Sequence, residues 1–238
     1  MKPHWKTELP LLALIAGMFV AAALIWPHAP ASFPVHWGVS GEVDRYGGRF
    51  EGLLFLPLLS VALYVIMLFL PRLDPGRLNY ARFAGAYYTI RATTIALMAL
   101  LYTVMVLAAK GTPVDMPRFV GLAIGAMFFV MGNVLGKIRP NWFVGVRTPW
   151  TLSSKRSWTR THRLAGWVFV IGGMALMAAG IVHTPVAMEA AFAILATGMV
   201  GAIVYSYFVW KSDPDRVPPA GTLPGNDEPG AEGIRPER

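Results

Sequence analysis

Residues 53–70 read LLFLPLLSVALYVIMLFL, a run of eighteen positions without a single charged side chain. A helix of about 20 apolar residues crosses the roughly 30 Å hydrocarbon core of a bilayer, where only a helix or a closed barrel satisfies its own backbone. Pro57 lies near the start of the run, where a proline costs a helix little. The stretch therefore predicts a membrane-spanning helix.

Five further stretches have the same apolar character, and the composition agrees with them. The chain is 55% hydrophobic and only 14% charged over 238 residues, too little charge to cover the surface of a soluble protein. The predicted crossings are residues 9–26, 52–70, 92–109, 119–136, 164–182 and 187–210. We therefore predict an all-α membrane protein with about six transmembrane helices, and we expect the first to be retained rather than cleaved as a signal peptide.

Lysine and arginine are distributed unequally between the connecting segments. If the N-terminus is cytoplasmic, fourteen of them lie on the inner side and four on the outer side. This asymmetry predicts a multi-pass protein of the bacterial inner membrane with both termini inside (N-in/C-in), by the positive-inside rule. We read the net charge of +8 as a topology signal rather than as a nucleic-acid footprint. Cysteine is absent, which excludes disulfides, thiolate catalysis and iron–sulfur clusters.

The predicted outer loop, residues 27–51, is too long and too aromatic to be a simple connection. His36 and Asp44 are spaced to meet across a tight turn, either as an orienting pair inside a folded cap or as a contact for a ligand. A metal needs at least three ligands, and only the more distant His28 or Glu42 could join, so we predict no metal site. The candidate binding residues here are Pro34, His36, Trp37, Gly41 and Asp44.

The predicted inner loop, residues 137–163, reads KIRPNWFVGVRTPWTLSSKRSWTRTHR. Ser153 or Ser154 is placed to cap a helix that continues into the fifth crossing. On that helix Trp158 and His162 lie four residues apart on one face. The three tryptophans are expected to form an interfacial belt, and the basic residues to attract anionic lipid of the inner leaflet. The belt residues are Trp142, Trp150 and Trp158.

Glycines and charged residues within the apolar stretches allow predictions about helix packing and about charge in the membrane. Four glycines on one face of the fourth stretch predict close packing against another helix. We expect Arg91 to reach the interface, and Glu189 to be the only acidic residue of the membrane interior, which argues against a proton-coupled pump. The glycines are Gly121, Gly125, Gly132 and Gly136.

The chain divides into four predicted units. Residues 1–82 form an N-terminal two-helix unit with the outer loop, and residues 83–118 form the third helix and its connection. Residues 119–211 form a three-helix region with the inner loop. Residues 212–238, rich in proline, glycine and acidic side chains, are predicted to be a disordered cytoplasmic tail.

At the inner loop the sequence resembles the signature of the SdpI-type immunity proteins of bacteria. The resemblance rests on Gly132-Asn133, KIRPN at 137–141, GVRTPWTL at 145–152, Trp158 and residues 161–163. FPVHW at 33–37, with Gly41 and Asp44, resembles a domain of unknown function often fused ahead of that signature. The signature-loop residues that the resemblance implies are Asn141, Gly145, Arg147, Thr148, Pro149, Trp150, Trp158, Thr161 and His162.

The resemblance implies a membrane protein that protects a producer cell against a secreted toxic peptide. In the family's best-known arrangement, the protein also holds a small cytoplasmic repressor at the membrane. We predict no cofactor, no enzymatic activity and no direct nucleic-acid binding. Two alternatives stay open: an intramembrane enzyme or small transporter that uses His36 and Asp44 or Arg147 and His162, and a structural envelope protein that binds no toxin.

Overall fold

The computed structural model describes residues 4–38 and 41–217. Six of its helices are long and apolar enough to cross a membrane, which confirms the predicted all-α, multi-pass architecture. The elements in chain order are α1 (Trp5–Ile25), β1 (Phe33–Trp37), β2 (Val43–Gly47), α2 (Arg49–Leu53), α3 (Phe55–Leu73), α4 (Ala84–Ala109), α5 (Met116–Leu135), α6 (Pro149–Leu152), α7 (Lys155–Val182) and α8 (Pro185–Lys211). Short 3-10 turns cover Trp26–His28 and Arg77–Phe83.

Several membrane helices extend beyond the apolar stretch that predicts them. The apolar stretch of the fifth crossing begins at residue 164, whereas α7 begins at Lys155, after the predicted serine cap: the Ser154 hydroxyl accepts a hydrogen bond from the Ser157 N–H at 2.9 Å. Asp115 caps α5 in the same way through the Arg118 N–H, at 3.1 Å. A helix ends where its backbone finds a cap, not where its hydrophobicity ends.

The long helices run alternately in opposite directions, so their connections gather at two ends. One end carries β1, β2 and the connections at 110–115 and 183–184, and we call it the hairpin end. The other carries the connections at 74–83 and 136–154 and residues 212–217, and we call it the loop end. The N-in/C-in orientation stays a prediction, because the packing of the helices is the same in either orientation.

Helices α5 and α7 make the closest helix pair, and glycine permits it. A Cβ added to Gly125 would lie 2.6 Å from the Gly173 carbonyl oxygen, and one added to Gly132 would lie 2.7 Å from that of Gly166. Such separations leave no room for any side chain. The predicted glycine stripe therefore packs within the chain, backbone against backbone.

The charged residues of the membrane interior differ from the prediction. Arg91 does not reach the interface: it is only 2% exposed and binds Glu8 of α1 through two hydrogen bonds, of 3.0 and 2.7 Å. The Tyr64 hydroxyl of α3 donates to the same carboxylate at 2.8 Å. Glu8 is thus a second acidic residue of the membrane-spanning helices, in addition to the expected Glu189. It was missed because it lies just before the apolar run at 9–26, on the first turn of α1.

Residues 212–217, predicted as the start of a disordered tail, lie against the loop end. The Ser154 hydroxyl donates to the Asp213 carboxylate, and the Val217 N–H donates to the Ser153 carbonyl at 3.0 Å. The remainder of the predicted tail, residues 218–238, lies outside the described residues. The division of the chain into units at residues 82 and 118 stays a prediction.

Candidate functional site

The predicted outer loop folds as a two-stranded antiparallel hairpin between α1 and α2. Phe33 pairs with Gly47 and Trp37 with Val43, and the register is irregular around His36. Because this irregularity turns side chains out of the usual alternation, His36 and Asp44 reach the same face. The predicted contact between them is present: His36 Nδ1 lies 2.6 Å from the nearest Asp44 carboxylate oxygen.

The His36–Asp44 pair lies on the open side of the hairpin rather than inside it. The two side chains are 64% and 50% exposed, so both keep surface available to a ligand. Within residues 4–38 and 41–217, no group of three or more metal-ligating side chains comes together. The geometry therefore suits a contact with a polar or charged partner.

The opposite side of the hairpin is anchored in the helical core. Phe33 and Leu53 are completely buried, in a cluster with residues of α1 and α4. A Cβ on Gly52 would run into the Phe33 ring, so only glycine allows α2 to pass this close. Pro34 is buried beside Phe33. The hairpin is thus held firmly, which presents its open face in one orientation.

The tip of the hairpin reaches the second half of the bundle. Gly41 has a φ of +87°, and a Cβ there would lie 2.8 Å from the Pro117 ring at the start of α5. Trp37 lines a groove of about 180 Å³ together with Pro117 and with Phe192 of α8. All five predicted residues therefore belong to one structural unit, the hairpin, which touches α1, α4, α5 and α8.

An ion pair and exposed aromatic rings complete the open face. Arg45 Nη2 lies 2.7 Å from a Glu51 carboxylate oxygen, and this hydrogen bond raises the pKa of the guanidinium. Tyr46 and Phe50 are largely exposed beside it. Aromatic and arginine side chains are enriched on surfaces that bind other proteins.

At the loop end, Asn141 organises the first part of the signature loop. Its side-chain oxygen accepts hydrogen bonds from the N–H groups of Phe143 and Val144, at 2.9 and 2.6 Å. Its Nδ2 donates to the carbonyls of Arg139 and Val144, at 2.9 and 3.0 Å. The buried amide therefore satisfies four bonds and closes a tight turn.

Asp74 connects this turn to the α3–α4 segment, and sequence reasoning missed it. One carboxylate oxygen accepts from the Gly76 N–H at 2.6 Å, and the other from the Tyr80 hydroxyl at 2.8 Å and the Trp142 N–H at 3.0 Å. The sequence feature that could have pointed to a structured turn here is Asp-Pro-Gly at 74–76, which is typical of turns. The partner 68 residues away gave no local signal.

His162 and Trp158 form the buried centre of the loop. Their rings stack at a centroid distance of 4.1 Å, and both are almost completely buried. His162 Nδ1 donates to the Trp158 carbonyl at 2.8 Å, and Nε2 accepts from the Val146 N–H at 3.1 Å, so the ring is the neutral tautomer. A Cβ on Gly145, which has a φ of +106°, would collide with Nε2.

Two consequences follow for the sequence-based interpretation. The expected interfacial belt does not include Trp158, because its indole N–H donates to the buried Ile138 carbonyl at 2.9 Å. Trp142 is exposed, and Trp150 stacks edge-on against Tyr207 of α8 at 5.3 Å. Since both nitrogens of His162 are bonded within the protein, the ring has no free atom for proton transfer. This weighs against the enzyme alternative that uses it.

Thr148 joins the loop to α8. It forms a reciprocal capping box with Thr151 at the start of α6, where Pro149 takes the first helical position. The Thr148 hydroxyl lies 3.1 Å from that of Ser206, and the Ser157 hydroxyl donates to the Ser206 carbonyl at 2.8 Å. The start of α6 and the first turn of α7 are thereby both tied to one position of α8.

Arg147 and Thr161 keep unused hydrogen-bonding capacity. Arg147 is exposed, and its guanidinium donates to one carbonyl, that of Trp142, at 3.0 Å. Within the described part of the chain it forms no ion pair, so most of its donors are unused. The Thr161 hydroxyl is buried and has no partner there.

The two predicted sets of residues do not form one site. The five hairpin residues and the nine signature residues lie at opposite ends of the long helices, separated by the roughly 30 Å that a 20-residue helix such as α5 spans. Helix α4 connects the two ends: Tyr102 belongs to the buried cluster under the hairpin, and Tyr87 belongs to the buried cluster of the loop end.

Comparison with known proteins gives two family matches and one curated relative. Residues 137–207 match the SdpI/YfhL protein family, and residues 13–61 match a domain of unknown function, DUF1648. Immunity protein SdpI of Bacillus subtilis (strain 168) is 21% identical over 168 residues, which cover 71% of this chain and 78% of the relative. No solved structure matches the chain.

The family matches cover both segments that the resemblance had singled out. DUF1648 covers α1 and the hairpin, and the SdpI/YfhL match covers the signature loop with α7 and most of α8. The curated relative is an immunity protein and its name describes no reaction. The chain is a multi-pass membrane protein that is similar to the SdpI/YfhL family over residues 137–207 and to DUF1648 over residues 13–61.

Proposed function

We propose that the protein is a resistance factor of the bacterial inner membrane that protects its cell against a secreted toxic peptide. The observation that carries this proposal is the similarity to an immunity protein over 71% of the chain. The relative's name states immunity, and the similarity covers most of both chains rather than one short motif.

The hairpin end is the proposed contact for the peptide. Its exposed His36–Asp44 pair and the neighbouring Arg45 offer both signs of charge, while Tyr46 and Phe50 offer aromatic surface. The buried side is anchored through Phe33, so binding would not require the surface to order itself first. Trp37 and Gly41 at the tip touch the second half of the bundle, which gives a bound peptide a path to α5 and α8.

The loop end is the proposed contact for a cytoplasmic partner, such as the repressor that the family resemblance implies. The network around Asn141, Asp74 and His162 holds a rigid surface with Trp142 and Arg147 exposed. Aromatic and arginine side chains are enriched where proteins bind one another. The guanidinium of Arg147 uses one donor and keeps the others for a partner.

Protection is tested by complementation. Bacillus subtilis cells that lack their own Immunity protein SdpI would produce this chain at measured membrane levels and grow with culture supernatant of the wild-type strain or with nisin. We expect survival above that of empty-vector cells in at least one challenge. Survival equal to the empty vector in both, with the chain present in the membrane, would refute the resistance proposal.

Variants of the hairpin pair separate binding from proton transfer. His36→Gln keeps a hydrogen-bond donor for Asp44, so a binding surface should retain much of its protection. Asp44→Lys places two basic groups together and should abolish it, whereas Glu42→Gln on the same hairpin serves as the matched control. Complete loss in His36→Gln, at unchanged membrane levels, would favour the enzyme alternative instead, because glutamine cannot titrate.

The orientation is tested with single cysteines, since the chain contains none. A membrane-impermeant maleimide applied to intact cells should label Tyr46→Cys and leave Arg160→Cys unlabelled until the cells are opened. Labelling of Arg160→Cys alone in intact cells would reverse the orientation and contradict an outward-facing hairpin.

A further inference from the structure

The loop end contains a groove of about 570 Å³ between the 3-10 turn, the segment after α5 and the start of α7. Its walls are Asn79, Arg82, Arg139, Pro140, Lys155 and Thr159. A neighbouring groove of about 820 Å³ shares four of these residues and extends toward Trp142 and Leu152. The two grooves form one continuous depression, which we call the basic groove.

Three cations line the basic groove, and they come from three separate segments. Arg82 lies on the 3-10 turn, Arg139 follows α5, and Lys155 is the first residue of α7. Among the described residues, none of the three has a hydrogen bond or an ion pair from its side chain. Arg147 and Arg156, also at this end, instead donate to backbone carbonyls. One carboxylate, that of Asp215, also lines the larger part of the groove, and it forms no ion pair with any of the three cations. The folding of the chain thus collects three positive charges and one negative charge at one place.

The groove is built before anything binds there. The Asn79 Nδ2 donates to the Pro140 carbonyl at 2.8 Å, which ties the two walls together. The Thr159 hydroxyl donates to the Lys155 carbonyl at 2.9 Å, within the first turns of α7. The 28-residue α7 begins at Lys155, so the positive end of its dipole lies at the groove. Positive charges on walls that the fold already holds together favour an anion.

The surroundings of the groove distinguish a lipid from a free anion. Trp142 and Leu152 line its larger part and are exposed, and Leu78, next to Asn79, is 85% exposed. Exposed apolar and tryptophan side chains beside basic ones, at the end of membrane-spanning helices, are typical of the headgroup layer. A free phosphate would use the cations and leave these apolar side chains without a role.

We propose that Arg82, Arg139 and Lys155 form a specific site for the phosphate of an anionic lipid headgroup, with the acyl chains on the side of Leu78 and Trp142. This site is independent of the proposed peptide contact, which lies at the other end of the helices. It differs from the general attraction of basic loops to anionic membranes because it requires these three residues and not others of equal charge.

The test measures binding of short-chain phosphatidylglycerol to the full-length chain in a neutral detergent. Short-chain phosphatidylcholine and inorganic phosphate serve as the other two probes. The groove variant combines Arg82→Gln, Arg139→Gln and Lys155→Gln. The control variant combines Arg77→Gln, Lys137→Gln and Arg160→Gln, which removes the same charge from exposed positions at the same end.

Selective binding of phosphatidylglycerol over phosphatidylcholine is expected for the wild type and the control variant. Because each basic residue near an anionic headgroup contributes roughly fivefold, the groove variant should bind at least about tenfold more weakly. Melting temperatures establish that each variant is folded. If the groove variant is not, Lys155→Gln alone should weaken binding several-fold.

Three results would overturn the proposal. Equal weakening in the groove and control variants would mean general surface attraction. Binding of inorganic phosphate as tight as that of phosphatidylglycerol would assign the site to a free anion. Equal affinity of the wild type for both lipids would mean that the cations do not recognise the headgroup.

Discussion

The pair formed by Glu8 and Arg91 yields the sharpest prediction about stability. The guanidinium and carboxylate share two hydrogen bonds, of 3.0 and 2.7 Å, and the Tyr64 hydroxyl adds a third to the carboxylate, at 2.8 Å. The Arg91 side chain is 2% exposed and that of Glu8 is 11% exposed. Neither charge can be hydrated if its partner is removed, since α1, α3 and α4 enclose both.

Each single substitution should therefore lower the free energy of unfolding by more than the double substitution does. Glu8→Gln leaves a buried guanidinium without a counter-charge, and Arg91→Gln leaves a buried carboxylate, each at a cost of about 3–5 kcal/mol. The double variant leaves no buried charge, so it should be more stable than either single variant. Glu51→Gln breaks the exposed pair with Arg45 and should cost less than about 1 kcal/mol.

The free energies can be measured by unfolding the protein in mixed micelles with increasing sodium dodecyl sulfate. The chain's eight tryptophans supply the fluorescence signal. Single variants that each cost less than about 1 kcal/mol would refute the reasoning, because the pair would then be hydrated. A double variant that costs the full sum of the singles would show that the two charges do not interact.

Three further predictions concern packing, the loop end and pH. Gly125→Leu should lower the melting temperature strongly, because a Cβ there would lie 2.6 Å from a backbone oxygen of α7, whereas Gly17→Leu, with nothing within 4 Å, should change it little. Asp74→Ala leaves three donors without an acceptor and should lower the free energy of unfolding by about 3 kcal/mol or more in the same micelle titration. If the loop at 136–154 were no more sensitive to protease in this variant than in the wild type, Asp74 would not be what holds it to the α3–α4 segment. The hydrogen bond from Ser154 lowers the pKa of Asp213 below its ordinary 3.8. The ionised Asp213 carboxylate therefore contributes its full stabilisation above pH 3.8, and this stabilisation is lost as the pH falls through the lowered pKa. The stabilities of wild type and Asp213→Asn should accordingly converge on acidification, and a difference that persists or grows would contradict this assignment.

The membrane class and the number of helices could be predicted from the sequence because they depend on local composition. A run of apolar residues long enough to cross a bilayer has one stable conformation there, whatever its neighbours are. The same holds for the cap at Ser154 and for the stack of Trp158 on His162, since a helix brings residues four positions apart together. The contact between His36 and Asp44 was also predictable, because a short hairpin leaves them few other positions.

Contacts between distant segments could not be predicted in this way. The sequence placed Arg91 at the interface, and only the packing of α1 against α4 brings Glu8 to it, 83 residues away. Asp74 likewise finds Trp142 across 68 residues. A charge in an apolar stretch signals that a partner exists, but the choice of partner is made by the arrangement of the helices.

The sequence by itself determined a polytopic membrane protein that resembles the SdpI-type proteins, with one aromatic loop at each end of its helices. Both conclusions follow from properties of neighbouring residues, namely hydropathy over one helix length and a continuous motif at 145–152. Only the tertiary structure decided that the glycines of α5 face α7, that Trp158 is buried, and that Arg82, Arg139 and Lys155 line one groove. The physical reason is that burial and charge clustering depend on which surfaces the folded helices bring together, and no local pattern encodes that.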